Sequence, residues 1–526
     1  MASFRPLILA AAILSSAVLA GSTMSYYEES LPSTMNPLFA RTMVDRRAHE
    51  LVFDRLYYRS AVTSEIKSRV VESEEVLEGG VKLAVTLKTG IKWHDGEELK
   101  ASDICFTIDT MLDPATPSHQ SKAYKEVIAG CEANDKTRVA TIAFAKRFYN
   151  PTERVQFHIL PSHVFGGNTT VMPDHEFSAR PTGTGPMKGS QGRREVRFTA
   201  VPNVHHNAKI SILGMGEGGD PLVQVRTLLN GGVQGVITVA PPFRTDVAAT
   251  DDVALKSYDL RSWWYVAVNA ARGPLADINV RQALDRAIDR FELRRLTMGY
   301  DPDDIVQPCQ FISGPFIPSS PYYNRSVKVK ERADIARVKE LMAAAGATQQ
   351  HGLWTIGGNP VNLKIGMNAP LDLEARDLLN QIGNQLQSSG FGRQVYKVSA
   401  DDWNKKAVTG RLSEEYDLLI GKWSFGVVED VSPLFQTRAG GKGSLNVFNY
   451  SNDKVDTLLD TFEDAKTDTD AQDAFHELHH YLAEDLPYLF LWKLDTKSAW
   501  RMEVGRNTIT PYFYFTEFDS WTYSSP

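Results

Sequence analysis

Cysteine is scarce in this chain: Cys105, Cys131 and Cys309 are the only three among 526 residues. The odd number excludes complete pairing, so at least one thiol stays free in each monomer. In an exported protein, Cys105 and Cys131 can form a disulfide. In the alternative, all three are buried free thiols that pack as small apolar side chains. The sequence leaves both arrangements open.

Long apolar runs are also scarce, and none after the first twenty residues is long enough to cross a bilayer. The run from Leu7 to Leu19 covers about 13 residues, whereas a membrane span needs ~20. Arg5 before the run and the small-residue pattern ending at Ala20 are typical of a cleaved export signal. The residues directly after Ala20 are Gly21 and Ser22 rather than a cysteine, so we expect no lipid anchor there. We therefore expect residues 1–20 to be removed, leaving a free periplasmic protein without direct membrane insertion.

The chain has no excess of positive charge. It carries 57 Lys and Arg against 64 Asp and Glu, a formal net charge of -7. This mild acidity disfavours nucleic acid or anionic lipid as a partner. The chain also lacks a G-x-S-x-G motif, a phosphate loop and a dinucleotide fingerprint, so no cofactor is expected. Aromatic residues, in contrast, are abundant at 9 Trp, 19 Tyr and 24 Phe, and they predict large cores and an aromatic-lined cleft.

Hydrophobic patterning differs between the two halves of the chain. Residues 70–148 contain short alternating runs, such as 82–88 and 139–144, which are typical of antiparallel strands with one face in water. From about residue 263 to residue 490, strands alternate with amphipathic helices. This second pattern favours an α/β domain in which helices pack on a sheet.

Three elements of the second half can be placed individually. Residues 262–269 are rich in β-formers and predict a buried strand. Asn279 predicts the start of a helix that Gly299 ends, because Asn caps free amides and Gly stops helices. Residues 334–345 repeat this scheme.

Seven short motifs follow one another between about residues 30 and 495. They are NPLF at 36–39, LVFDRL at 51–56, GIKWHDGEELKASDICF at 90–106, PTGTGPM at 181–187, NVRQALDRAID at 279–289, YDLLIGKW at 416–423 and NVFNYSNDKVDTLL at 446–459. In this order they resemble the extracytoplasmic solute-binding proteins of the peptide/nickel class, bacterial family 5, which feed ABC importers. Each motif is mainly structural, so the set indicates fold and class better than it indicates ligand.

The resemblance implies an α/β fold of the periplasmic-binding-protein type II, class C, with two main lobes, a hinge and an extra inserted domain. Two crossings between the main halves, near 260–270 and 488–496, would form the hinge. A solute that touches both halves favours the closed form, because only there does it meet both surfaces. The implied boundaries are 21–56, 178–262 and 493–526 for lobe I, 57–177 for inserted lobe II, and 263–492 for lobe III.

Family members commonly place two stretches against the ligand: the residues after NP-L-F and those that begin at the Trp after YDL. An arginine in these stretches can bind a carboxylate through two parallel hydrogen bonds. A rigid Trp ring can form part of the wall of a ligand cleft. The structural alternatives are a surface or ion-paired arginine for Arg41, packing at a strand end for Trp423 and a helix cap for Asp430. By resemblance, the ligand-binding residues are Arg41, Thr42, Trp423, Ser424, Phe425 and Asp430.

Peptide-binding relatives often carry an acidic residue a few positions after that Trp, which pairs with the ammonium group of the ligand. In this chain Gly426 or Val427 falls at that position, and the acids come later, as Glu429 and Asp430. A shift of the alignment by one residue brings Asp430 near the family pattern. It stays open whether the ligand is held by its amino end or by a carboxylate through Arg41.

One motif indicates a different function. His476, Glu477 and His480 match H-E-x-x-H, in which two His bind one zinc ion while the Glu acts on a bound water. A catalytic zinc needs a third protein ligand, and no downstream pattern supplies one. The same stretch resembles the late helix of the solute-binding family. We therefore expect surface histidines without a metal, and we expect His205 and His206 to be exposed as well.

The sequence as a whole predicts a substrate-binding protein of an ABC importer rather than an enzyme. By resemblance it captures an oligopeptide and, as a monomer without cofactors, delivers it to an inner-membrane permease. One alternative keeps the fold but changes the cargo to a nickel chelate, an opine-like compound or a sugar. The other is a secreted zinc hydrolase that uses His476, Glu477 and His480.

Overall fold

The structure is a computed structural model. Within its described ranges, no helix combines the length and the apolar character that a bilayer span requires. The predicted export signal at 1–20 lies outside these ranges, as do Gly299, Gly426 and Val427. The described residues are 23–60, 62–63, 65–118, 124–148, 150–258, 261–298, 309–369, 371, 377–407, 409–425, 429–439, 443–509 and 514–524.

Twenty-five strands lie in the described part of the chain. In chain order they are β1 Thr23–Glu28, β2 Tyr58–Arg59, β3 Ile66–Lys67, β4 Val71–Leu77, β5 Lys82–Leu87, β6 Ile128–Asn134, β7 Val139–Phe144, β8 Met187–Gln191, β9 Glu195–Ala200, β10 Ile212–Glu217, β11 Gly235–Val236, β12 Val253–Tyr258, β13 Ser262–Val268, β14 Cys309–Phe311, β15 Thr348–Gln350, β16 Leu353–Ile356, β17 Asn359–Pro360, β18 Asn362–Asn368, β19 Gly392–Val398, β20 Leu418–Ser424, β21 Tyr488–Phe490, β22 Trp492–Leu494, β23 Thr496–Arg501, β24 Val504–Gly505 and β25 Thr522–Tyr523.

Thirteen α-helices and several short 3-10 helices accompany these strands within the described ranges. The α-helices are α1 Met43–Val52, α2 Ala101–Leu112, α3 Pro221–Leu229, α4 Arg244–Ala248, α5 Ile278–Ala287, α6 Arg290–Met298, α7 Ile335–Ala344, α8 Leu378–Ser388, α9 Ala400–Ala407, α10 Leu412–Glu415, α11 Ser432–Phe435, α12 Asp453–Glu463 and α13 Asp468–Asp485. The 3-10 helices are Pro37–Phe39, Glu78–Gly80, Pro151–Arg154, Ser162–Phe165, Glu176–Ser178, Pro241–Phe243, Gly273–Ala276 and Phe518–Ser520.

A seven-stranded mixed sheet draws its strands from both ends of the chain. Its order is β12-β23-β11-β1-β10-β9-β8. β1 pairs in parallel with β10 and β11, whereas β23 runs antiparallel to β11 and β12. A large core lies on one side of this sheet, and a smaller core with α3 and α4 lies on the other. Sequence-distant segments therefore share one layer.

The alternating runs predicted as antiparallel strands form a four-stranded sheet of order β4-β5-β7-β6, so that prediction is confirmed. Helix α2 packs on it, and a disulfide joins Cys105 of α2 to Cys131 of β6. Of the two arrangements left open for the cysteines, the structure has the disulfide. Closing a loop of this length lowers the entropy of the unfolded chain and so stabilises the fold by about 3.5 kcal/mol. Cys309 is a buried free thiol, and burial raises its pKa to about 12.

A five-stranded sheet of order β19-β18-β20-β13-β21 carries helices on both faces. Its strand β13 is buried at every position, which confirms the strand predicted at 262–269. Because side chains alternate across a strand, Trp263 and Trp264 enter the cores on opposite faces, and both are fully buried. The α/β class predicted from the sequence is confirmed.

The predicted helix start at Asn279 is wrong by two residues. Asp277 caps α5 instead, with its carboxylate accepting from the Asn279 amide at 2.8 Å. The helix also stops at Ala287, because Ile288 is extended, and a new helix begins once Asp289 accepts from the Glu292 amide at 2.7 Å. The second helix, predicted at 334–345, is confirmed as α7, which Asp334 caps.

The PTGTGPM motif packs directly against the end of α1. The Gly185 amide donates to the Val52 carbonyl at 2.9 Å. A Cβ on Gly183 would overlap that carbonyl oxygen, and a Cβ on Gly185 would come within 2.6 Å of the Val52 carbonyl carbon. The two glycines are therefore required by close backbone approach.

We expect Gly183→Ala to destabilise the fold strongly, because the added methyl group must displace main chain rather than a flexible side chain. Overpacking of this kind costs about 1–3 kcal/mol and sometimes more. Thermal denaturation followed by circular dichroism measures the loss. Gly130→Ala is the matched control, since a Cβ at Gly130 has nothing within 4 Å. Similar melting temperatures for the two variants would contradict the explanation.

Candidate functional site

Two crossings run side by side between the seven-stranded and the five-stranded sheets. One leads from β12 to β13, and the other leads from β21 through β22 to β23. Tyr258 at the end of β12 pairs with Thr496 at the start of β23. Since β23 is antiparallel to β11, the carboxyl ends of β1 and β11 lie at this same edge. Open α/β sheets bind ligands at the carboxyl ends of their strands.

A buried ion pair lies at this edge. Glu28, the last residue of β1, is fully buried and accepts from Arg47 of α1 at 2.9 and 2.7 Å in a two-pronged pair. Burial raises the pKa of Glu28 while the guanidinium opposes the rise. The next residue, Glu29, is exposed and accepts from the Thr238 hydroxyl at 2.5 Å, which lies 3.0 Å from the Tyr258 hydroxyl. The Glu28–Arg47 ion pair thus holds α1 against this edge of the sheet.

Trp423 and Ser424 are the last two residues of β20, opposite Trp263 and Ser262 of β13. Because β13 begins where the chain arrives from the other sheet, these two side chains lie at the end of β20 nearest the crossings. Trp423 is partly exposed, and Ser424 is exposed. The indole N–H of Trp423 is buried and has no acceptor among the described residues.

Phe425 and Glu429 make their contacts with other side chains of the protein. Phe425 is 1% exposed and stacks on Phe316 with ring centroids 6.0 Å apart, and its ring is perpendicular to the Trp423 ring at 6.3 Å between centroids. Glu429 is buried against Arg261 at 3.2 Å and accepts from the Ser320 hydroxyl. Phe425 therefore packs against the Trp423 ring.

Asp430 is partly exposed and holds the start of α11. Its Oδ1 accepts from the Ser432 amide at 2.8 Å and from the Ser432 hydroxyl at 2.6 Å. The cap residue of α11 is Val431, so Asp430 makes a local turn with Ser432 rather than the helix cap considered as its alternative. Both bonds use one carboxylate oxygen.

Arg41 and Thr42 lie at the amino end of α1, and both are exposed. Thr42 caps the helix through a reciprocal pair of hydrogen bonds with Asp45. The Asp45 carboxylate also accepts from the Arg41 amide at 2.9 Å and from Ser33. Burial opposes ionisation of Asp45, but these hydrogen bonds outweigh it and lower its pKa. The backbone of residues 41 and 42 is thereby fixed.

The six predicted residues thus fall into two groups. Trp423, Ser424, Phe425 and Asp430 surround the end of β20, whereas Arg41 and Thr42 start α1.

A cavity of about 940 Å³ lies beside the crossings. Its lining comes from both sides of the crossings: Ser257 and Tyr258 from the end of β12 in the seven-stranded sheet, and Arg294 and Phe311 from α6 and β14. The Arg294 guanidinium lies 4.6 Å from the Phe311 ring centre. None of the six predicted residues lines this cavity, so sequence reasoning missed it. The signal was present, because the predicted crossing at 488–496 contains the lining residues Lys493 and Asp495.

The H-E-x-x-H motif lies on the outer face of α13. His476 lies 2.9 Å from the Pro321 carbonyl oxygen, Glu477 pairs with Lys454, and His480 lies 3.4 Å from Glu484. Among the residues that the structure describes, no third His, Cys, Asp or Glu joins His476 and His480 to form a metal-binding group.

The buried histidine of this helix is His479, which the motif does not use. The Asn324 amide donates to its Nδ1 at 3.0 Å, so the ring proton sits on Nε2, 3.0 Å from the Ser313 hydroxyl. Burial, followed by the neighbouring His476, lowers the pKa of His479 to about 3. The folded protein therefore holds this ring neutral.

We expect His479 to make stability depend on pH. Below pH ~6.5 the unfolded chain protonates this ring, whereas the folded chain does not until about pH 3. The contribution of the neutral His479 ring to the free energy of unfolding is therefore complete above pH ~6.5. It falls by about 1.4 kcal/mol per pH unit between pH 6 and 4. Urea denaturation at pH 7.5, 6 and 5 measures it. His479→Gln should show a shallower pH slope than wild type, and equal slopes would contradict the assignment.

The prediction that His205 and His206 are exposed is wrong. Their side chains are 5% and 1% exposed, because both face the buried Asp54 carboxylate. His206 also contacts Asp519 of the carboxyl-terminal segment. Burial opposes protonation of His206, but Asp54 and Asp519 raise its pKa to about 9. A sequence gives no sign of such a pairing, since the partners are far apart along the chain.

Comparison with known proteins gives consistent matches over most of the chain. Protein XP55 of Streptomyces lividans is 25% identical over 480 residues, 89% of this chain and 82% of that protein. The oligopeptide-binding protein AppA of Bacillus subtilis (strain 168) is 24% identical over 450 residues, 81% and 78% of the two chains.

Solved structures share the fold. AppA of Bacillus subtilis in complex with a nonapeptide has a TM-score of 0.73 at 19% identity, over 96% of this chain and 99% of AppA. HbpA2 of Haemophilus parasuis has a TM-score of 0.81 at 18% identity, over 96% and 100%. These matches confirm the predicted type II binding-protein fold. The model of bacterial extracellular solute-binding proteins, family 5 Middle, matches residues 65–444, and because it spans most of the chain, this protein belongs to that family.

Proposed function

We propose that this chain is the periplasmic substrate-binding component of an ABC importer and that its solute is a peptide. The observation that carries the proposal is the pair of adjacent crossings beside a cavity of about 940 Å³, which is lined by β12 of the seven-stranded sheet on one side and by α6 and β14 on the other. Two sheets joined by two neighbouring strands can rotate as a hinge. A solute between them is held fully only when the hinge closes.

We assign three lobes to this arrangement. Lobe I, at 21–56, 178–262 and 493–526, carries the seven-stranded sheet, and lobe II, at 57–177, carries the four-stranded sheet. Lobe III, at 263–492, carries the five-stranded sheet. Closure brings lobe III towards the edge of lobe I that holds the carboxyl ends of β1 and β11.

Trp423 and Ser424 contact the solute from lobe III in this proposal. The partly exposed Trp423 ring, supported by Phe425, forms an apolar wall, and the Ser424 hydroxyl adds a polar contact. Asp430 accepts the Ser432 bonds through one oxygen, so its second oxygen remains for an ammonium group of the solute. Arg41 and Thr42 contribute from lobe I, where the Arg41 guanidinium suits a carboxylate.

The cavity favours a solute that carries both charges and apolar groups. Cationic Arg294, Arg325 and Lys493 line it together with anionic Glu331 and Asp495. Two Phe rings and Tyr258 supply apolar area. A short peptide combines an ammonium end, a carboxylate end and side chains, and AppA, a relative, is named for oligopeptide binding. A monomer delivers this cargo to an inner-membrane permease.

Catalysis is not part of the proposal. Within the described residues His476 and His480 lack a third metal ligand, and Glu477 is engaged by Lys454. A zinc hydrolase built on this motif therefore has an incomplete site.

Mass spectrometry of small molecules released by denaturing the purified protein tests the function. We expect peptides at close to one equivalent per chain. A stoichiometric nickel chelate, opine-like compound or sugar would keep the binding function but replace the cargo. Peptide hydrolysis that is lost in His476→Ala would overturn the proposal in favour of the zinc enzyme.

A further inference from the structure

Four polar side chains from three distant segments meet outside the cavity. Asp54 follows α1, His205 and His206 lie between β9 and β10, and Asp519 belongs to the 3-10 helix Phe518–Ser520. None of the four lines the cavity beside the crossings. The solute-binding function therefore does not account for this cluster.

The geometry of the cluster matches a metal-binding triad. His205 Nε2 lies 2.7 Å from Asp54 Oδ2, and His206 Nε2 lies 3.0 Å from Asp54 Oδ1. One donor atom from each residue lies within 4.8 Å of the other two. Ligands around a tetrahedral zinc ion, with bonds of about 2.0–2.1 Å, are about 3.3 Å apart. A shift of a few tenths of an ångström would open a space of that size.

His206 is oriented in the way that a metal ligand requires. Its Nδ1 lies 2.5 Å from Asp519 Oδ2. When this nitrogen donates its proton to Asp519, a neutral ring directs the Nε2 lone pair at the Asp54 carboxylate, which is repulsive. A cation between Nε2 and the carboxylate removes the repulsion. Metal-ligating histidines commonly donate their second N–H to such a carboxylate, which fixes the ring and strengthens the metal bond.

We propose that Asp54, His205 and His206 bind one divalent first-row transition ion, with Asp519 as the carboxylate that orients His206. Two imidazoles and one carboxylate suit Zn²⁺, which also accepts a water as its fourth ligand. The three ligand side chains are at most 5% exposed, so the site is a structural clasp rather than an open catalytic centre. It ties the end of α1 to the β9–β10 connection.

The competing occupant of the same space is a second proton on His206. Both occupants satisfy the Asp54 carboxylate, but His205 has a different role in each: without metal its Nε2–H donates a hydrogen bond to Asp54, and with metal its Nε2 is a ligand. Loss of His205 therefore distinguishes them. His205→Ala leaves the bonds of His206 to Asp54 and Asp519 in place, so the metal-free fold should persist.

Calorimetric titration of ZnCl₂ into the metal-stripped, tag-free mature protein tests the site, with elemental analysis after gel filtration. We expect one ion per chain and a zinc-dependent rise in melting temperature. His205→Ala should weaken binding by more than about 100-fold, and Asp519→Asn by about 10- to 100-fold. Circular dichroism of the metal-free variants verifies that they are folded.

His476→Ala is the matched control, because it removes a histidine from the surface motif on α13 without touching the cluster. It should bind zinc as wild type does. The proposal is overturned if wild type binds no zinc saturably in the micromolar range. It is equally overturned if folded His205→Ala binds zinc unchanged, or if binding is lost in His476→Ala. None of these outcomes bears on peptide capture, which is measured separately.

Discussion

Solute affinity is expected to fall by about 10- to 100-fold when Trp423 is replaced by alanine. The indole ring contacts Phe425 at the end of β20, and a Trp side chain offers apolar area at a low entropy cost on binding because it has only two rotatable bonds. Truncation removes that area and leaves the fold intact, because the ring is partly exposed. Calorimetry with synthetic peptides of two to five residues measures the affinity, and thermal denaturation reports the fold.

Two further variants sharpen this test. Trp423→Phe keeps an aromatic wall but deletes the indole N–H. The affinity lost between wild type and the Phe variant reports the N–H, and the further loss between the Phe and Ala variants reports the ring area. Tyr396→Ala is the control, since Tyr396 is an exposed aromatic residue on the edge strand β19 of the same sheet. Unchanged affinity in Trp423→Ala would remove this residue from the binding site.

The largest loss of stability is expected for Arg47→Met, at about 3–5 kcal/mol. Glu28 is fully buried, and the variant leaves its carboxylate without the two-pronged Arg47 contact. An unpaired buried charge is costly even where the intact pair contributes little, because the desolvation penalty is no longer offset. Denaturation by urea at neutral pH measures the loss.

The double variant Glu28→Gln/Arg47→Met should recover much of that loss, because it removes both charges. Arg295→Met is the surface control: Arg295 also makes a two-pronged pair, with Glu292, but both side chains are exposed. Exposed pairs contribute about 0–1 kcal/mol. A loss for Arg47→Met as small as that for Arg295→Met would show that Glu28 is not effectively buried.

Sequence patterns predicted the local structure well where one face of an element is apolar. The alternating runs became β5 and β7, the continuous apolar run became β13, and the second helix, predicted at 334–345, became α7. The order of the motifs also predicted the fold. The α5 cap was misplaced because Asp277 and Asn279 are both good caps, and the choice depends on the path of the preceding 3-10 turn.

The remaining errors concern partners that are distant in sequence. The sequence around His205 does not indicate that Asp54 and Asp519 lie nearby in the fold. The buried charge cluster was therefore predicted to be an exposed polar pair. The cavity was missed for the same reason, since Tyr258, Arg294 and Lys493 converge only after the two sheets are placed. The lobe boundaries and the roles of the six predicted residues stay predictions.

The interior position of β23 in the seven-stranded sheet constrains how the protein can mature. β12 pairs within this sheet only through β23, and β23 is made of residues 496–501. A chain synthesised amino end first therefore leaves the β23-facing sides of β11 and β12 unpaired until residues 496–501 follow. Pairings this distant form slowly and leave aggregation-prone edges in the meantime. The seven-stranded sheet is consequently expected to complete slowly, because β23 must pair with both β11 and β12.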